Sequence, residues 1–305
     1  MEQQAAPGYS VVNYTGSQGY KTWDGGTTVN GVYYLCEDSA STAIAFSTDK
    51  GATWQQKIPL GANGDMFRSL VAVDTVMMAG GYSGGSLSIS FDQFSSVSYL
   101  NMIPYGMTMT NLAVKTSGQA FLVHNTTVNA AVSQDGINWT AVTLPAAPTS
   151  VTNTVSIKDK FVLIAATGII VGDAIGSTFG LYATPITPLS ACYGNGLWAI
   201  NNAAGFATTT RDFVTFNTSL ASVMYPGAVI GHFNEKLKVF TSAFFSAFYY
   251  SSDCITWLQA NPIYFVTSSN FRTYQFADGS ILTGVSSSSF GHRFHEVTDK
   301  VLKIE

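Results

Sequence analysis

A short aspartate-centred string recurs along this chain at an almost constant interval, and that interval limits the fold more than any other feature. Its fullest copy is Ser47-Thr-Asp49-Lys-Gly51-Ala-Thr-Trp54. Ser133-Gln-Asp135-Gly136-Ile-Asn-Trp139 is the same pattern one residue shorter, and Ser251-Ser-Asp253-Cys-Ile-Thr-Trp257 repeats the shorter form with Cys254 in the glycine place. Ser90-Phe-Asp92 and Thr210-Arg-Asp212 are weaker copies, and Thr298-Asp299 is the faintest. Successive aspartates are separated by 43, 43, 77, 41 and 46 residues. The interval of 77 is two shorter periods, so one copy is missing, and the period places it near Tyr182 to Pro188. A fixed period of this length is the mark of a repeat architecture.

Two further markers keep the same period. Turn residues recur between apolar runs at Asn30-Gly31, Asp74-Thr75, Ser117-Gly118, Asp159-Lys160, Asn195-Gly196, Asn234-Glu235 and Asp278-Gly279. Asn-Gly and Asp-Gly between apolar runs are hairpin signals, because a two-residue turn of this kind needs positive φ at both positions. Eight of the nine prolines fall between an aspartate turn and the next hairpin, where no ladder hydrogen bond is required of them. Each unit of about 40 residues therefore holds four short strands, A to D, with the aspartate turn between C and D. The reading is all-β: a seven-bladed propeller of four-stranded antiparallel blades, one domain over 1–305. Val301–Glu305 supplies strand D of the seventh blade. Ser10–Tyr14 is surplus, and within an N-terminal arm of residues 1–19 it is either a ring-closing strand or a free extension.

The string Ser-x-Asp-x-Gly-x-x-Trp resembles the Asp-box, or BNR repeat, of sialidase-type propellers. The resemblance implies a structural role for Ser47, Asp49, Gly51, Trp54, Ser133, Asp135, Trp139, Asp212, Ser251, Asp253 and Trp257. Ser and Asp side chains hydrogen-bond the turn's own backbone, Gly51 permits a positive φ, and the tryptophans pack between blades. It also implies that these turns lie on the rim away from the ligand face. Sialidases imply in addition an arginine triad, a Tyr–Glu nucleophile pair and a Phe/Tyr-Arg-Ile-Pro motif. This chain departs from that set: Lys57-Ile-Pro-Leu is the nearest string and follows the turn instead of preceding it, and the chain has four arginines, of which Arg211 sits in a rim turn.

With the aspartate turns at one end, the D-to-A and B-to-C loops occupy the other. Tyr105, Tyr225, Tyr264 and Phe265 fall in the former and offer stacking surfaces. Asp173 is placed in a B-to-C loop. Arg68 and Arg272 lie early in strand A of two blades and suggest a paired anion clamp. No catalytic residue is assigned. No metal site is expected either: His292 and His295 are three apart and face opposite sides of a strand. No cofactor is expected, since Gly80–Gly85 joins two strands and precedes no helix. Cys36, Cys192 and Cys254 fit neither zinc nor disulfide spacing and read as buried thiols.

Composition narrows the partners. Hydrophobic residues make up 46% and charged residues only 10% of the chain, with a net charge of −4. A nucleic-acid surface needs clustered Lys and Arg, so nucleic acid is not an expected partner. The longest apolar stretch is too short for a bilayer span, so no membrane insertion is expected, and the N-terminus lacks a signal-peptide pattern. Low charge, abundant Ser, Thr, Asn and Gly, and free cysteines are features shared with phage tail proteins. The primary expectation is a non-enzymatic virion or surface propeller, made in a host cytoplasm and acting outside. Its partner would be a cell-surface glycan or protein receptor, or a neighbouring virion subunit. The alternatives are a sialidase-like glycoside hydrolase and an intracellular assembly or interaction scaffold.

Overall fold

The computed structural model describes residues 9–14, 23–37, 43–50, 53–61, 67–81, 86–101, 104, 112–115, 120–124, 129–145, 151–157, 160–173, 175–176, 178–221, 223–224, 226–235, 238–244, 247–259, 271–275, 281–285 and 291–296. Every regular element among them is a β-strand, apart from a single helical residue at 104. The chain opens with β1 (Tyr9–Tyr14). The first sheet follows as β2 (Trp23–Val29), β3 (Val32–Glu37), β4 (Ile44–Ser47) and β5 (Gln55–Lys57). The second is β6 (Phe67–Val73), β7 (Val76–Gly81), β8 (Ser86–Ser90) and β9 (Ser98–Asn101). The third is β10 (Leu112–Lys115), β11 (Phe121–His124), β12 (Asn129–Ser133) and β13 (Thr140–Thr143). The fourth is β14 (Val151–Ile157), β15 (Lys160–Ala165), β16 (Gly168–Gly172) and β17 (Phe179–Ala183). The fifth is β18 (Ser190–Gly194), β19 (Leu197–Asn201), β20 (Ala207–Thr210) and β21 (Phe216–Thr218). The sixth is β22 (Val229–Asn234), β23 (Val239–Phe244), β24 (Ala247–Ser251) and β25 (Leu258–Gln259). Finally come β26 (Phe271–Gln275), β27 (Ile281–Val285) and β28 (Gly291–Glu296).

The expectation of seven blades, each a complete four-strand run of chain, needs correcting. Six sheets are self-contained antiparallel meanders. The last run of chain supplies only three strands, β26 to β28, and its fourth place is taken by β1 in the order β1-β28-β27-β26. Tyr9 to Tyr14 pair antiparallel with Glu296 to Gly291. The surplus N-terminal strand is thus the outer strand of the last sheet, and Val301–Glu305, assigned that place from sequence, lies outside the described residues. The physical reason is that β28's outer edge offers unpaired backbone groups, and whichever strand reaches it satisfies them.

The chain packs as two compact units. Residues 21–188 hold the first four sheets; residues 1–20 and 189–305 hold the other three. Within the larger unit, alternate residues of one strand serve two different cores. On β7, Met77 and Ala79 join a cluster with the first sheet, while Met78 joins a cluster with the third. On β11, Phe121 and Val123 face the second sheet and Leu122 faces the fourth. Both faces are covered, so these strands read as continuous apolar runs without the polar alternation of a one-sided sheet. Each fully buried large side chain contributes roughly 1.5–3 kcal/mol. In the smaller unit, Cys192, Ala199, Ile230, Phe233 and Phe240 form the core between the fifth and sixth sheets. A buried polar tie joins the same two sheets: Asn201 Nδ2 donates to Ala228 O at 2.6 Å, and the Ile230 N–H donates to Ser190 Oγ at 2.8 Å.

The hairpin signals have their expected geometry at Asn30-Gly31 and Asn195-Gly196. Each pair has φ of 49° then 77°, two consecutive left-handed residues as a type I′ turn demands.

Candidate functional site

The turns between third and fourth strands are built on one carboxylate each. In the third sheet Asp135 Oδ1 accepts from the N–H groups of Ile137 at 2.8 Å and Asn138 at 2.7 Å and from the Ser133 hydroxyl at 3.0 Å. Asn138 Nδ2 donates to Asp135 Oδ2 at 2.7 Å, and Gly136 N–H donates to Ser133 Oγ at 2.8 Å. Trp139 Nε1–H closes the turn onto Gly136 O at 3.0 Å. In the sixth sheet, Ile255 and Thr256 N–H groups bond Asp253 Oδ1 at 2.9 and 2.7 Å, and Trp257 Nε1–H bonds Cys254 O at 2.9 Å. Asp212 accepts from Val214 and Thr215, both at 2.9 Å. The turns at Asp49 and Asp92 are one residue longer: their acceptors meet the N–H of Thr53 at 2.8 Å and of Ser96 at 2.9 Å.

These donors stabilise the ionised carboxylate. The Thr53 hydroxyl and N–H hold Asp49 at about 2, and the Ser96 hydroxyl and N–H hold Asp92 at about 2. The N–H and side-chain amide of Asn138 draw Asp135 well below the usual carboxylate range. Thr215 and Val214 N–H groups lower Asp212; at Asp253 partial desolvation pushes upward, but the Thr256 and Ile255 N–H groups carry it below its ordinary value.

Each turn whose glycine place is described holds a left-handed residue there, and the longer Asp92 turn holds a second, Gln93 at φ 57°. That place is taken by Gly136 at φ 77°, but also by Phe94 at 60°, Phe213 at 58° and Cys254 at 61°. Bulky residues rarely adopt this region. Here packing holds them: Phe94 packs on Phe67 at 6.1 Å, half-buried Phe213 packs on Trp198 at 4.9 Å, and Cys254 is fully buried in the fifth–sixth core. Gly136 fits closely: a Cβ there would lie 2.1 Å from Met78 Cε of the neighbouring sheet, so the end of that side chain would have to shift. Gly51, expected to supply a positive φ, lies outside the described residues; Lys50 beside it has φ 58°. Trp139 joins the core between the second and third sheets, Trp257 packs on the core between the fifth and sixth, and Trp54 is buried.

The turn expected near Tyr182 to Pro188 is elsewhere. Asp173 stands between β16 and β17, 38 residues after Asp135 and 39 before Asp212, and belongs with the other turns instead of in a B-to-C loop. Its carboxylate accepts from the Thr178 hydroxyl at 2.9 Å. Sequence reading missed it because Val171 replaces the hydroxyl residue two places earlier and no tryptophan follows; the interval alone would have found it.

Two clefts open beside these turns, each between one sheet's outer strands and the next sheet's turn. One, about 250 Å³, is lined by Val132, Asp135, Asn138 and Thr140 of the third sheet and Ile175 of the fourth. The other, about 470 Å³, is lined by Thr209, Asp212, Phe216 and Asn217 of the fifth sheet and Asp253 and Ile255 of the sixth. Large apolar side chains stand exposed on the turns: Phe91 at 53%, Ile137 at 54%, Ile175 at 46% and Val214 at 81%. Three of them occupy one place, two residues after the aspartate, a regularity visible in the sequence but not singled out from it.

The opposite ends of the sheets carry a recurrent β-bulge in the first strand. The ladder skips a residue at Asp24, Arg68, Thr152 and Gly231. Arg68 is thus the bulged residue of β6, in the larger unit, while Arg272 lies on β26, in the smaller. The side chains of Arg68 and Arg272 lie outside the described residues. Tyr105, Tyr225, Tyr264 and Phe265 lie outside the described residues. Among the described residues no group of three or more His, Cys, Asp or Glu side chains could hold a metal. Burial pushes the Cys192 thiol up to about 12 and that of Cys254 well above its ordinary value, so neither is a nucleophile at neutral pH.

No protein-family model matches the chain, and no curated protein matches it in sequence. Its fold does have solved relatives. YCF48 from Cyanidioschyzon merolae is similar with a TM-score of 0.72 at 12% identity, covering 94% of this chain and 98% of that one. A YCF48 structure bound to a D1 peptide scores 0.74 at 12% identity over 96% and 99%. Virginiamycin B lyase from Staphylococcus aureus scores 0.74 at 8% identity over 94% and 99%. The WD40 propeller domain of Doa1 scores 0.68 at 10% identity over 95% and 98%. The fold of this chain is a β-propeller. Identities this low carry the fold alone, and the set mixes an enzyme with binding domains.

Proposed function

We propose that the chain is a non-catalytic interaction scaffold that binds protein partners at the end of its sheets where the aspartate turns lie. The observation that carries this reading is the repeated exposure of Phe91, Ile137, Ile175 and Val214 on turns that rigid hydrogen bonding holds in place. An apolar side chain gains from burial, and one presented on an ordered turn loses little entropy on docking. The peptide bound to YCF48 and the WD40 relatives favour a protein partner over a glycan. A virion-borne propeller docking on a receptor protein is the narrower form of this reading; it rests on the charge-poor composition.

The test uses the full chain as bait beside an Ile137→Ser/Ile175→Ser variant and a Val214→Ser variant. A partner held by the wild type and lost by a variant of unchanged melting temperature supports the scaffold. A partner held equally by all three places binding elsewhere. Saturable glycan binding or turnover, with no protein partner, would overturn the reading.

A further inference from the structure

Three register-equivalent positions flank the outer space between neighbouring sheets. They are the third-strand residue three places before the aspartate, its partner on the second strand, and the fourth-strand partner of the residue five places before it. In the first sheet these are Phe46, Tyr34 and Lys57. They fill the space beside the Asp92 turn from within. Lys57 Nζ lies 5.0 Å from the Phe46 ring centroid and 5.4 Å from that of Tyr34, and it donates to Gln93 O of the next sheet's turn. Tyr34 Oη donates to the Gln93 side chain at 2.9 Å. Burial lowers the Lys57 pKa while the Asp92 charge opposes the shift.

In the third sheet the same positions are Val132, Leu122 and Val142, and a cleft of about 250 Å³ remains. In the fifth sheet they are Thr209, Ala199 and Ser219, the last joined to Ala207 by its N–H at 2.8 Å. The cleft there is about 470 Å³. The larger of the two clefts lies beside the smaller set of side chains. An acceptor also stands open on the wall of the larger of these two clefts. In the Asp49, Asp92 and Asp135 turns, Oδ2 is taken by the side chain of Thr53, Ser96 or Asn138. Asp212 receives its donors on Oδ1, and among the described residues Oδ2 accepts none. Arg211, on the same wall, donates to Gly196 O at 3.2 Å, which leaves the two carboxylates of Asp212 and Asp253 in excess.

We infer that the cleft between the fifth and sixth sheets receives a lysine or arginine side chain from an extended segment of a partner protein. Its stem takes the place that Lys57 fills from within the chain between the first and second sheets, but its head turns to the fifth sheet's own aspartate, whereas Lys57 reaches the next sheet's turn at Gln93 O. The aliphatic stem lies along Leu197, Phe216 and Ile255, and the cation meets Asp212 Oδ2. This rests on the scaffold reading and names the chemistry of one of its contacts.

The test selects a displayed random heptapeptide library on the full-length protein and synthesises the winners. Two variants are compared with the wild type: Asp212→Asn, and Thr209→Phe/Ser219→Lys, which refills the cleft as in the first sheet. Winners with a basic residue at a fixed position are expected, weakened at least fivefold by Asp212→Asn and lost in the refilled protein. Should the double variant fail to fold, the exposed Asp212→Asn substitution decides alone. Winners without a basic residue, or binding both variants as they bind the wild type, overturn the inference and leave the scaffold standing. No winners, and no partner in the capture experiment, would sink both.

Discussion

Asp135 gathers four donors onto two oxygens, and each of them favours the ionised carboxylate over the acid. Replacing it with alanine removes all four of these bonds from a tight turn and should lower stability by about 1–2 kcal/mol. The pH dependence has a definite sign. The folded-state pKa values of Asp49, Asp92, Asp135, Asp212 and Asp253 lie below their unfolded values. Their contribution is complete above the unfolded carboxylate pKa near 4 and is lost as pH falls toward about 2. Denaturant midpoints should be flat between pH 5 and 7 and fall below pH 4, and the deficit of Asp135→Ala should narrow over the same window. A deficit as large at pH 3 as at pH 7 would mean the charge is not its source. The residue scale also explains why the glycine place tolerates Cys254 and Phe213: the hydrogen-bonded loop fixes the left-handed backbone, and packing of the side chain, buried at Cys254 and against Trp198 at Phe213, offsets its strain.

At the scale of elements, the pairing of β1 with β28 joins the two ends of the described chain through six residues of register. Removing residues 1–14 would expose the edge of β28, a row of unpaired backbone donors and acceptors. The truncated protein is expected to melt several degrees lower and to aggregate with a concentration-dependent onset, read by calorimetry and light scattering. An unchanged melting curve would show that this strand adds nothing to stability. The bulges at Asp24, Arg68, Thr152 and Gly231 belong to this scale as well. A bulge depends on how two strands settle against each other, so nothing in the residues Phe67-Arg68-Ser69 announces it.

For the molecule as a whole, burial of the thiols offers a probe of global opening. Cys36, Cys192 and Cys254 are buried thiols in no disulfide, in sheets of both units. None should react quickly with Ellman's reagent in buffer, and all three should react after unfolding in guanidinium. A single fast-reacting thiol in buffer would reveal that its sheet opens without the rest.

The sequence by itself determined the repeat, the antiparallel four-strand unit, the hairpin turns at Asn30-Gly31 and Asn195-Gly196, and the self-bonded aspartate turns. All of these depend on residues within a few positions of one another, so local chemistry specifies them. Tertiary structure decided the rest. That β1 completes the last sheet, that Asp173 is the missing turn, and that Lys57 plugs one space while Ala199, Thr209 and Ser219 leave another open are matters of distant segments meeting. Such meetings are set by register and by the volumes packed between sheets, and no single run of the chain encodes them.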